Sequence, residues 1–224
     1  PLQVSRSRVA PRVALHRAAS PDAFGRDLAA AARTQTDEFV IYTARYQHIA
    51  YPMGDLSTLH GACTDVVIRA YRSLGIDLQE LVHHARAGGG DRNIDHRRTE
   101  TLRRFFQRHG EMLALSPYPE DYKPGDIVTY YRPFSRVSRA HIAVVSDVIA
   151  ATGRPMIIHN RGYGPQLEDA LFVDRITGHY RYSGPTSDLQ VAATPRLPDK
   201  LGPLVKASAP APKRQTAGVP VKVN

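Results

Sequence analysis

The sequence has one cysteine, Cys63, in 224 residues. An intramolecular disulfide is therefore excluded, and the thiol is left for packing or for chemistry. Long hydrophobic runs are also missing. No stretch approaches the roughly 18 consecutive apolar residues of a membrane-spanning helix, so no integral membrane segment is expected in this chain. Acidic residues are absent from Pro1 to Ser20, and the whole chain sets 30 Lys and Arg against 21 Asp and Glu, a formal charge of +9. Such a charge suits polyanions such as nucleic acid, anionic lipid or acidic cell-wall polymers. Eleven of the basic residues lie near the two ends, from Arg6 to Arg26 and from Arg196 to Lys222. The charge thus belongs partly to the flanks rather than to one site. No internal repeat is visible.

What is present divides into three parts. Residues 1–20 show no sustained period and read as a flexible basic segment. The chain begins at Pro1 and is expected to be processed or truncated, so that any export signal could already be gone; an exported protein of the periplasm or cell envelope is the expectation. Residues 184–224 are rich in Pro, Ala and Lys, and Pro195, Pro198, Pro203, Pro210, Pro212 and Pro220 exclude a packed core there, so a disordered tail is expected. Between them, 21–183 reads as one domain. Ser20-Pro21-Asp22 resembles a helix start, with apolar Phe24, Leu28, Ala31 and Ala32 following at helical spacing. Asp77 to Ala85 and Leu102 to Phe106 are also helical in character. From Asp126 onward the pattern becomes β-like, with runs at 126–131, 141–148, 156–159 and 178–182 separated by Pro/Gly turns. Helices first and adjacent strands later predict an α+β domain with a mostly antiparallel sheet.

The segment around Cys63 is the most ordered pattern in the chain. Residues 63, 66, 67, 70, 71 and 74 fall on one helix face, and Gly75 stops the helix. Cys63 is then in the first turn, where free backbone N–H groups and the positive end of the macrodipole favour a thiolate. A cysteine nucleophile needs a base and a group that orients the base. His141 opens one β-run, 78 residues after Cys63, and His159 closes the next, 18 residues later. Two neighbouring strands can bring both imidazoles to the helix N-terminus, and Asn160 could orient a base equally well.

Two other clusters compete for a function. Asp91, Asn93, Asp95 and His96 offer oxygen ligands suited to a hard cation, but EF-hand spacing is absent. No metal is expected, and the segment reads instead as a loop that caps the helix over 99–108 and lines the substrate cleft through Asp95 and Arg97. Arg92, Arg97, Arg98, Arg103 and Arg104 could form a nucleic-acid stripe. No aromatic platform interleaves them, so a solvated helix face is the reading adopted and no nucleic-acid partner is expected.

Several blocks in order resemble the NlpC-type clan of papain-like cysteine peptidases. Tyr51, Gly54, Cys63 and Ser73-Leu74-Gly75-Ile76 match its nucleophile segment. Pro124-Gly125-Asp126-Ile127-Val128 matches its strand opening, His141-Ile142-Ala143-Val144-Val145 its base strand, and His159 its third polar residue. Around the nucleophile the clan usually has Asp-Cys-Ser-Gly, where this chain has Ala62-Cys63-Thr64-Asp65. The segment from Gln79 to Glu120 is longer than usual. The resemblance implies a papain-like fold with the Cys helix on the sheet and a hydrolase without cofactor. It implies Cys63 as nucleophile, His141 as base and His159 as orienter. Tyr51 is implied at the oxyanion, and Asp65, Asp95, Arg97 and Asn160 join it as oxyanion or substrate-binding residues. The implied substrate is an amide in bacterial peptidoglycan peptides, acted on by a monomer. A non-catalytic wall-binding module and a thiol acyltransferase are the alternatives. A thiolate–imidazolium pair is expected between Cys63 and His141.

Overall fold

A computed structural model describes residues 21–185. The flanking basic segment and the Pro-rich tail lie outside the described residues. In chain order the elements are α1 (Pro21–Arg33), β1 (Ile41–Tyr42), β2 (His60–Gly61), α2 (Cys63–Ser73), α3 (Leu78–His84), α4 (Thr99–His109), β3 (Glu111–Met112), β4 (Ile127–Tyr131), β5 (Ala140–Ile149), β6 (Pro155–Asn160), β7 (Pro165–Glu168) and β8 (Arg175–Arg181). Strands β3 to β8 form one antiparallel sheet in the order β3-β8-β4-β5-β6-β7. The short pair β1 and β2 is parallel and separate. The architecture is α+β, with the Cys helix against an antiparallel sheet.

The alternation of β5 explains the two cores. Ile142 and Val144 point into a cluster shared with Cys63, Val67, Tyr71, Phe105 and Phe106 from α2 and α4. Ala143 and Val145 point the other way, into a smaller cluster with Val128, Tyr130, Ile157 and Leu171. Successive side chains of a strand alternate in this manner. The sheet is thus buried on both faces, with helices on one and loop residues on the other.

Helix α2 is the apolar spine of the larger cluster: Val66, Val67, Ile68, Ala70 and Tyr71 are all buried. Its start is set by Asp65, whose carboxylate accepts the Ala62 N–H at 2.6 Å. Ala62 has no side-chain acceptor to return the bond, so only half of a capping box forms. Its end is the turn Leu74-Gly75, with Gly75 at φ +80°, a conformation favoured by glycine. Helix α1 approaches the opening of β4 through two glycines. A Cβ on Gly25 would overlap the Pro124 carbonyl, and one on Gly125 would overlap the Gly25 backbone.

Asp126 explains the Pro-Gly-Asp block. It is fully buried, receives both Nε and an Nη of Arg181 at 2.8 and 3.0 Å, and lies 2.8 Å from His179 Nε2. The block therefore joins β4 to β8.

Candidate active site

Cys63 is the first residue of α2 and is buried. Its Sγ lies 3.9 Å from Thr99 Oγ1, at the first residue of α4. Tyr42 lines the same cleft as the thiol, and the backbone N–H groups of Ile142 and Thr64 also face Sγ. The thiol thus stands where two helices begin and where β5 passes. It opens on a cleft of about 480 Å³ bordered by Tyr42, Tyr46, Arg98, Glu100 and Ser138.

The two histidines predicted from the strand ends come together. His141 Nε2 lies 2.9 Å from His159 Nδ1, and both rings are almost fully buried. Beyond them, His159 Nε2 lies 2.7 Å from Glu168 Oε2. Arg161 Nε is 3.3 Å from His159 Nδ1, and Arg161 also reaches Glu168 and Asp174. The register produces this chain. His159 is paired with Gln166, so Glu168 is its diagonal neighbour on the same face, within reach of a long side chain.

No hydrogen bond joins Sγ to either imidazole among the described residues. The thiol meets the backbone of Ile142, next to His141, whereas the His141 ring is 6.1 Å from Tyr130 in the second cluster. With Nε2 of His141 held by His159, Nδ1 is the ring nitrogen that this contact leaves unengaged.

Electrostatics also differ from the expected ion pair. Burial raises the Cys63 thiol above its ordinary value of 9.0, although the Thr99 hydroxyl and the Ile142 N–H pull it down. Burial holds His141 well below 6.5, with His159, Arg132 and Arg161 adding to the effect. The resting pair is a neutral thiol and a neutral imidazole, because loss of hydration outweighs the helix dipole. His159 is also lowered by burial, against the pull of Glu168. Glu168 is lowered by its bond to His159 and is a carboxylate at neutral pH.

Four binding assignments require correction. Tyr51 is not beside the thiol. Its ring packs on His83 at 5.4 Å with the Arg92 guanidinium over it at 4.8 Å. The reason is that α3 holds its segment: the Met53 and Gly54 N–H groups donate to Asp77 and Gln79, and Gln79 donates to the Ala50 carbonyl. Tyr42, not Tyr51, is among the residues that border the thiol's cleft. Asp65 is sequestered in a buried ion pair, with Arg97 Nε at 2.9 Å and an Nη at 3.0 Å. Arg97 also donates to the Thr43 and Arg45 carbonyls, and so holds in place one wall of the cleft that it lines. Asp95 accepts the Gly90 and Asp91 N–H groups at 2.7 and 2.9 Å and shapes its own loop. The fourth, Asn160, accepts the Gly162 N–H at 2.9 Å and serves the turn into β7.

Tyr42, Thr99 and Glu168 were missed by sequence reasoning. Tyr42 had a signal in the apolar run Val40-Ile41-Tyr42, but its parallel pairing with Gly61 leaves no mark in spacing. Thr99 is the first residue of a helix that was expected, and that start could have been examined for thiol partners. Glu168 belongs to a four-residue strand, Pro-Gln-Leu-Glu, with no apolar alternation.

The class so defined is an α+β protein with a buried thiol at a helix start and an imidazole–imidazole–carboxylate chain on its sheet. The chain belongs to the family described as Domain of unknown function (DUF1287), whose model matches residues 29–182. It is 43% identical over 169 residues to "Uncharacterized protein YijF" of Escherichia coli (strain K12), a match covering 69% of this chain and 80% of that protein. Among solved structures it is similar to NlpC2 and NlpC1 from Trichomonas vaginalis, each at 17% identity and a TM-score of 0.43. These matches cover 71% and 70% of this chain but 46% and 44% of theirs, so the chain spans under half of either.

Proposed function

We propose that this protein is a cysteine hydrolase that cleaves an amide bond in bacterial peptidoglycan peptides, acting as an exported monomer. The observation that carries the reading is the place of the thiol. Sγ meets the backbone of β5 at Ile142, one residue from a His141 ring anchored by His159. In the proposed reaction His141 Nδ1 takes the thiol proton, and the thiolate adds to the amide carbon. The amine leaves with the proton from His141, and water then hydrolyses the thioester. Tyr42 and the Cys63 N–H stabilise the oxyanion. Direct contact between Sγ and His141 is the step that this chemistry adds to the observed geometry.

A second reading, a non-catalytic wall-binding module, is favoured by one observation: the buried thiol has no hydrogen bond to an imidazole. Incubation with purified peptidoglycan, followed by mass analysis of soluble fragments, separates the two. New peptide termini made by the wild type and not by Cys63→Ala support the hydrolase. Co-sedimentation with peptidoglycan without products supports the module, and neither result leaves no role for the wall polymer.

A further inference from the structure

Glu168 ends β7 with its side chain about 38% exposed, yet its Oε2 meets the fully buried Nε2 of His159 at 2.7 Å. A carboxylate can only accept, so the proton on His159 must be on Nε2. Nδ1 of His159 is then a bare acceptor. Its neighbours agree: Arg161 Nε, which can only donate, is 3.3 Å away, and His141 Nε2 is 2.9 Å away. His141 must therefore carry its proton on Nε2 to bond there, which leaves its own Nδ1 bare. One carboxylate determines the proton position on two rings in succession.

We infer that Glu168 is a positioning residue that holds both imidazoles in the Nε2–H form and so keeps His141 Nδ1 bare, the form that the proposed base requires. The inference rests on the proposed thiol chemistry. The transfer is balanced within the site: the S–H bond breaks, an Nδ1–H bond forms on His141, and its Nε2–H continues to donate to His159. If His159 held its proton on Nδ1, two N–H groups would face each other at 2.9 Å unless His141 bared Nε2. His141 would then carry its proton on Nδ1 and could not act as a base there. The charged groups facing this pair are Glu168 from β7, Arg161 from the turn after β6 and Arg132 from the turn after β4.

Nitrogen-15 spectra of histidine-labelled protein read the proton positions directly, and iodoacetamide alkylation of Cys63 reads the base without a substrate. In the wild type, His141 and His159 should each show a bare Nδ1 and a protonated Nε2. Glu168→Ala should mix the forms on both rings and slow alkylation about tenfold or more, a part of what a positioned general base contributes. Glu168→Gln, which keeps an acceptor oxygen and the shape but not the charge, should fall between. Added acetate should restore part of the Glu168→Ala rate, which a merely structural loss would not allow. Unchanged ring spectra and alkylation in Glu168→Ala would overturn the inference. Correct ring forms in a wild type that leaves peptidoglycan uncut would instead remove the proposed function and keep the inference.

Discussion

Cys63 is under two opposing influences, and their sizes decide its behaviour. N–H groups at the start of α2 and the Thr99 hydroxyl favour the thiolate, while full burial disfavours it and prevails. The free protein should therefore alkylate slowly at pH 7, with a midpoint above that of an ordinary thiol. Because His141 is neutral there, His141→Ala removes no positive charge and should leave that midpoint within a few tenths of a unit, while the base-assisted rate at pH 7 falls at least as far as in Glu168→Ala. A midpoint below the ordinary thiol value, raised by His141→Ala, would restore the ion pair. Cys63→Ala should abolish any hydrolysis and cost about 1 kcal/mol of stability, read by urea titration; full activity in that variant would end the mechanism. Residue identities were legible where chemistry restricts the choice. A lone thiol at a helix start and two histidines at strand ends drew attention to themselves. Tyrosines did not: Tyr51 alone matched the expected spacing, and the grip of Asp77 and Gln79 on Met53 and Gly54 holds its segment away from the thiol.

At the scale of elements, the apolar pattern revealed α1, α2, α3 and α4, which each bury one face, and the strands β4, β5, β6 and β8, whose apolar runs reflect a sheet buried on both faces. The remaining elements are short. β1, β2 and β3 have two residues each and β7 has four, too few for alternation to be read. They form because neighbours supply their hydrogen bonds. Much of the site lies at these silent junctions. Arg97 shows how they are held: its guanidinium ties α2 through Asp65 to the segment after β1 through the Thr43 and Arg45 carbonyls. Removing it strands a buried carboxylate and frees a wall of the cleft. Arg97→Ala should destabilise the protein by about 3–5 kcal/mol and accelerate amide exchange in residues 43–46. Asp65→Asn combined with Arg97→Ala should cost less than the single arginine change. A loss under about 1 kcal/mol for Arg97→Ala would show that the pair is incidental.

Across the whole molecule, buried titratable groups set a pH window for stability. His96 is buried and lowered from 6.5 to about 4, mainly by desolvation, and His141 and His159 are lowered by burial as well. In the unfolded chain these histidines take up protons near pH 6.5, whereas the folded protein refuses them until lower pH. Their contribution is present in full above about 6.5 and is lost as pH falls toward their folded values. For His96, the interval from 6.5 to about 4 corresponds to about 3 kcal/mol. Three such groups together give a slope of up to about 4 kcal/mol per pH unit. Cys63 limits the other side: its folded value is raised above 9.0, so its contribution is present below that pH and lost as pH rises past it. Urea midpoints taken from pH 4 to pH 10 should therefore form a plateau between about 6.5 and 9 with an acid limb steeper than the alkaline one. Positive charge on the whole chain also grows in acid and adds repulsion, so the limb alone does not identify its source. His96→Gln separates the two, since it removes one titrating group and leaves the rest of the charge as it was. Its acid limb should be shallower by about one proton, or about 1.4 kcal/mol per pH unit. An acid limb of unchanged slope in His96→Gln would show that general repulsion, and not the buried imidazole, drives unfolding in acid.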